Sequence, residues 1–126
     1  MPPVEIPDHV RRFVVGAVDS IPELEALLLL RAHREREWSV EDAGARLYVS
    51  TTMAAHVLAA LSARGLLAGD GRRYRYAPEP PELDAVVADL AATYASNLIV
   101  VTRLIHGKPA ASVRQFADAF RLRKET

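Results

Sequence analysis

Apolar residues recur every three or four positions from Val40 to Leu61, then give way to strict alternation from Arg73 to Tyr76. That change of period, from 3.6 to 2, predicts two helices followed by a β-ribbon. Ser39 caps the first helix, with Asp42 three residues on as a shorter stand-in for a capping-box acid. Val40, Ala43 and Leu47 face the core, and Gly44 permits close helix approach at about 1 kcal/mol of helix propensity relative to alanine. The turn falls at Tyr48-Val49, and Ser50 or Thr51 caps the next helix, whose buried stripe is Met53, Ala54, Val57, Leu58 and Leu61. Gly65 ends it, because a glycine there accepts the left-handed conformation cheaply. Leu66 and Leu67 start a strand, Asp70-Gly71 signals a two-residue hairpin, and Arg72 to Ala77 returns as its partner. On that strand Tyr74 and Tyr76 share one face and Arg73 and Arg75 the other.

The flanks are helical too. Residues 8 to 18 predict a short helix capped by Asp8 that buries Val10, Phe13, Val14 and Ala17, with a strand through Phe13 to Val15 as the alternative. Ser20-Ile21-Pro22-Glu23 is a clearer start: a cap, a proline in the first turn and a capping-box glutamate. The helix from Ile21 to about His33 buries Leu24, Leu27, Leu28 and Ala32. Arg34 to Glu37 reads as a solvated charge run, and Trp38 as a plug at the core edge. After Pro78, Pro80 and Pro81, the span from Leu83 to His106 predicts one helix of about 35 Å. Its stripe of Leu83, Val87, Leu90, Tyr94, Leu98, Val101 and Ile105 is more apolar surface than a small core can cover. Pairing with the same helix of a second copy follows, the alternative being packing against residues 8 to 33. Gly107 and Pro109 close that helix, and Ser112 with Gln115 caps a last one. There Val113, Phe116, Ala117 and Phe120 form an apolar face, with Phe116 and Phe120 docking on the body or on the partner subunit, opposite the basic Arg114, Arg121, Arg123 and Lys124.

The stretch from residue 39 to 78 resembles the DNA-binding domains of bacterial winged helix-turn-helix regulators, the broad MarR-like and ArsR-like group. Leu47 matches the last apolar residue of the supporting helix and Val49-Ser50 the usual turn pair, while Leu58, Leu61, Arg64-Gly65 and Leu66-Leu67 match the close of the recognition helix. Tyr48 stands where a glycine is usual, and Ala43-Gly44 where Leu-Ala is usual. The resemblance implies a mainly α fold with a small β-hairpin wing, in residues 1–78, followed by a helical dimerisation region in 79–126. It also implies that the second helix enters the major groove. The DNA-facing residues are then Ser50, Thr51, Thr52, Ala55 and His56 on the recognition helix, with Arg46 and Arg64 at phosphates and Arg72, Arg73 and Arg75 on the wing. The recognition helix offers weak readout, since no arginine, lysine, asparagine or glutamine occurs between Ser50 and Ala63. Its small side chains equally suit the close approach of another protein helix.

Charge sharpens this picture. The formal net charge is +0 over 126 residues, which argues against strong non-specific nucleic-acid binding. Residues 39–78 carry five arginines against three acids, and 107–126 five basic side chains against two, whereas 1–38 and 79–106 are net acidic. With no cysteine, disulfides and thiolate metal sites are excluded. His9, His33, His56 and His106 are scattered without metal-ligand spacing, and the serines are explained as caps. No nucleotide-binding glycine loop occurs. The expectations are a soluble cytoplasmic protein, neither enzyme nor metal- or cofactor-binding, that acts as a homodimeric DNA-binding transcriptional regulator. The alternative is a protein-interaction module on the same fold.

Overall fold

The computed structural model describes residues 6–107. Three serines start three of its helices by accepting backbone N–H groups that the first helical turn leaves unpaired. Ser20 accepts from Glu23 at 3.3 Å, Ser39 from Asp42 at 3.0 Å and Ser50 from Met53 at 3.0 Å. The helices they open are α2 (Ile21–Ala32), α3 (Val40–Leu47) and α4 (Thr51–Ala63). Ahead of them α1 spans Asp8–Ala17, a helix and not a strand. Asp8 is its first helical residue, so Pro7 holds the cap position and makes no side-chain bond there.

A three-stranded antiparallel sheet accompanies the helices: β1 (Trp38–Ser39), β2 (Leu67–Gly69) and β3 (Arg73–Tyr76), in the order β1-β3-β2. Leu67 pairs with Tyr76 and Gly69 with Tyr74, while Trp38 on the other edge also pairs with Tyr74. The alternation expected for β3 is present, with Tyr74 and Tyr76 buried and Arg73 and Arg75 exposed. Its turn lies one residue further on than expected. Asp70 and Arg73 are bonded across it, leaving Gly71 and Arg72 as the central pair. The short strand β1 has no counterpart in the sequence reading, because two residues cannot display a period.

Helices α2, α3 and α4 pack on one another, with β3 against α2 and β2 against α4. Leu24, Ala26, Leu27 and Leu30 of α2 meet Ala43 of α3 and Ala54, Leu58 and Leu61 of α4 in the core. Ala32, read as buried, is exposed, and Leu28 is only half-buried. The same core runs on through Val10 and Val14 of α1 to Val87, Leu90, Val101 and Ile105 beyond residue 78.

The apolar run after the prolines departs most from expectation. It forms two helices, α5 (Leu83–Ser96) and α6 (Leu98–His106), bent by 112° at Asn97. Asn97 has φ −149° and ψ 55°, outside the helical region. Length explains the break. Ten-residue α1 offers about 15 Å of surface, less than half of a straight 83–106 helix. Folding at Asn97 lays both arms on α1 and on each other. Val87, Leu90 and Val101 are fully buried and Ile105 nearly so, all within one chain. This corrects the expected continuous helix and takes Val87, Leu90, Val101 and Ile105 out of the stripe offered to a second copy. Leu83 and Tyr94 are half-buried, and Leu98 and Ile99 stay exposed at the corner. No single described helix is long and apolar enough to cross a membrane. The expected helix from Ser112, with Phe116 and Phe120, lies outside the described residues.

Candidate nucleic-acid interface

The turn between α3 and α4 is built by three residues. Gly44 brings the backbone close: a Cβ there would stand 3.2 Å from the Val49 carbonyl and 3.3 Å from the Ala54 Cβ. Its carbonyl accepts the Val49 N–H at 3.0 Å. Tyr48 takes the left-handed conformation, φ 59° and ψ 39°, and its side chain is 95% exposed. Ser50 then starts α4. Ala54, Val57, Leu58 and Leu61 turn inward, whereas Thr51, Thr52, His56 and Ala59 are exposed and Ala55 is half-buried. Met53, expected in the buried stripe, is 43% exposed. The core side of that turn is filled by Ala54, and Met53 lines a groove with His56, Ala60, Asp19, Ser20 and Glu23.

The β2–β3 hairpin packs beside α4 and is fixed by hydrogen bonds at its turn. Asp70 Oδ1 accepts the backbone N–H groups of Arg72 at 2.8 Å and Arg73 at 3.0 Å. Those two bonds hold the Asp70 carboxyl below its ordinary pKa. The Arg72 carbonyl accepts the Val40 N–H at 3.1 Å, tying the hairpin to the start of α3. At Gly69 any side chain would collide with the Tyr74 ring. The inner edge is clamped as well. The Tyr76 hydroxyl donates to Asp84 at 2.6 Å, and Asp84 also accepts from Arg31 at 3.0 Å and Arg34 at 3.4 Å. Burial, then the adjacent carboxylate, raises the Tyr76 pKa, while the Tyr76 hydrogen bond leads the lowering at Asp84. Arg34 also lies over the Tyr76 ring, 5.3 Å from its centroid, and Arg36 over that of Trp38 at 3.9 Å. The charge run read as solvated thus covers two aromatic rings.

A groove of about 610 Å³ opens between the start of α4 and the hairpin, lined by Ser39, Val40, Glu41, Thr51, Ala55, Gly71, Arg72 and Arg73. It unites four of the predicted residues: Thr51, Ala55, Arg72 and Arg73. Glu41 was missed because its only sequence signal, an acid in the first turn of a helix, is the ordinary one. Arg75 is exposed on the outer face of β3, and Arg46 lines a separate depression with Arg36, Trp38, Asp42 and Ala45. Arg64, expected at a phosphate, is paired inside the chain. Its guanidinium donates to the Ala17 carbonyl at 2.7 Å, to Glu23 and to Asp19 at 2.9 Å. Glu23 is buried, so removing Arg64 from it would strand a carboxylate away from water.

Comparison of the chain with protein-family models, with curated proteins and with solved structures gave no match. The surface itself is what bears on function. It combines a helix start that has no acid in its first turn, exposed hydroxyls and a hydrogen-bonded cationic hairpin. Aligned peptide dipoles at a helix start favour anions, and arginines on a fixed turn suit the regular spacing of phosphates.

Proposed function

We propose that residues 20–78 are a winged helix-turn-helix that binds duplex DNA, with α4 as recognition helix and the β2–β3 hairpin as wing, in a transcriptional regulator. The observation that carries this reading is the shared groove: Thr51 and Ala55 of α4 face Arg72 and Arg73 of the wing across it. In this arrangement α4 enters the major groove and the wing arginines follow the adjacent backbone. The protein acts as a dimer, joined at the corner where Leu98 and Ile99 are 53% and 62% exposed. Sedimentation across a range of concentrations tests that contact, and a monomer throughout would remove it. DNA binding is tested by retention of pooled genomic duplexes on purified protein at low salt, followed by a salt titration. Binding that weakens steeply with salt supports the reading, because released counterions drive association.

One observation favours a second reading. Apart from His56, the outward face of α4 carries only hydroxyl, thioether and methyl groups, and the nearby Arg64 is spent inside the chain. A small, uncharged helix face also suits close packing with a protein helix. Absence of any duplex retention at low salt would move the assignment there.

A further inference from the structure

On the exposed side of α4, Thr52, Ala55 and Ala59 recur at three- and four-residue spacing and so share one face. From Ser50 to Ala63 there is no arginine, lysine, asparagine, glutamine, aspartate or glutamate. Guanine is read in the major groove by charged donors on O6 and N7, and adenine by a paired amide on N6 and N7. Nothing on this helix makes either bidentate contact. It presents methyl groups instead: Cβ of Ala55 and Ala59, Cγ2 of Thr51 and Thr52. In unmodified DNA the major groove exposes one methyl group, the C5-methyl of thymine.

Resting on the DNA-binding reading above, we propose that α4 selects its target by apolar contact with thymine methyl groups. The ligand is a duplex with thymines at the steps facing Thr52, Ala55 and Ala59. Small side chains serve this purpose because they let the helix axis approach the base edges until methyl meets methyl. Ala55, half-buried in the groove beside the wing, sets the depth of that approach. Arg72 and Arg73 hold the backbone along the wing side, and Glu41 on the other wall repels phosphate and fixes which side that is. His56, exposed one residue beyond Ala55, adds a single hydrogen bond without defining a base pair.

The experiment selects duplexes from a random library with the full chain at low salt, then replaces single thymines of the best duplex by deoxyuridine. Loss of one buried methyl weakens binding about fourfold at each contacted step. Placing 5-methylcytosine at such a step restores more affinity than cytosine does, because the methyl group is the shared feature. Thr52→Ser, which keeps the hydroxyl, abolishes the deoxyuridine penalty at one step and leaves the others. Affinity indifferent to deoxyuridine at every position would overturn the methyl reading while leaving duplex binding intact. A penalty unaltered in both Thr52→Ser and Ala59→Gly would also overturn it, by placing the contact off this face. Failure to retain any duplex would remove the DNA-binding reading itself, and this inference with it.

Discussion

At Tyr48 the backbone is left-handed at φ 59° around a side chain that is 95% exposed. For a residue with a Cβ that conformation costs roughly 1–2 kcal/mol, and an exposed ring recovers none of it through packing. Tyr48→Gly should therefore raise unfolding free energy by about 0.5–1 kcal/mol, after the extra freedom glycine gives the unfolded chain is deducted. Tyr48→Val, β-branched at the same φ, should lower it; urea denaturation reads both, and a less stable glycine variant would show that the ring has a partner. Arg64 is the opposite case, a charge that looks available in the sequence and is consumed in the fold. Arg64→Ala should cost about 2–4 kcal/mol by stranding the buried Glu23, far more than loss of a surface arginine. Tyr76 and Asp84 give the pH dependence. The Tyr76 pKa is raised above 10.0, so its share of stability is present below that pH and lost as the solution becomes more alkaline. The Asp84 pKa is lowered below 3.8, so its share is present above that pH and lost on acidification. Tyr76→Phe removes the hydroxyl and its bond to Asp84 together. Thermal midpoints across the pH range should show both limbs flatten, and unchanged limbs would mean the pair does not couple to folding.

Among the elements, those with local causes were legible and those with distant causes were not. Ser20, Ser39 and Ser50 announce their helices because a cap acts within three residues. Gly65 and Gly71 announce their turns because a positive φ, 82° and 96° here, selects glycine on its own. The break at Asn97 has a weaker marker, an asparagine, which is favoured at helix ends but does not by itself stop a helix. Apolar residues continue on both sides of it, and the bend arises from what α1 can cover, a property of packing 80 residues away in the chain. The bonds of Arg64 to Asp19 and Glu23 cross 45 and 41 residues, and the same reasoning placed that guanidinium on DNA. The buried stripe of α5 and α6 yields its own test. Leu90→Ala opens a cavity between α5 and the core and should cost about 2–4 kcal/mol. Because Leu90 packs within one chain, the difference between the two proteins' midpoints should be the same at every protein concentration. A loss that shrinks as concentration rises would return Leu90 to a dimer interface.

For the whole molecule, a net charge of +0 leaves no net charge to favour DNA, so the proposed binding rests on how the charges are arranged. Internal pairing decides which cations remain. Arg31 and Arg34 are paired with Asp84, Arg36 with Asp42, and Arg64 with Asp19 and Glu23. Among the described residues Arg11, Arg12, Arg46, Arg72, Arg73, Arg75 and Arg103 are exposed and in none of these pairs, and the four from Arg46 to Arg75 belong to the α3 to β3 stretch. If each of those four neutralises one phosphate, the logarithm of the binding constant should fall with the logarithm of salt at a slope of about −3.6 per chain. The triple change Arg72→Ala, Arg73→Ala and Arg75→Ala should make that slope shallower by about 2.7. It should do so for every duplex tested, since backbone contacts carry no sequence information. Arg11→Ala with Arg12→Ala, also exposed but on α1, is the matched control and should leave the slope unchanged. Equal slopes in the wing variant and the α1 variant would mean that the hairpin does not lie on the backbone. The groove between α4 and the wing would then be no guide to how DNA is held.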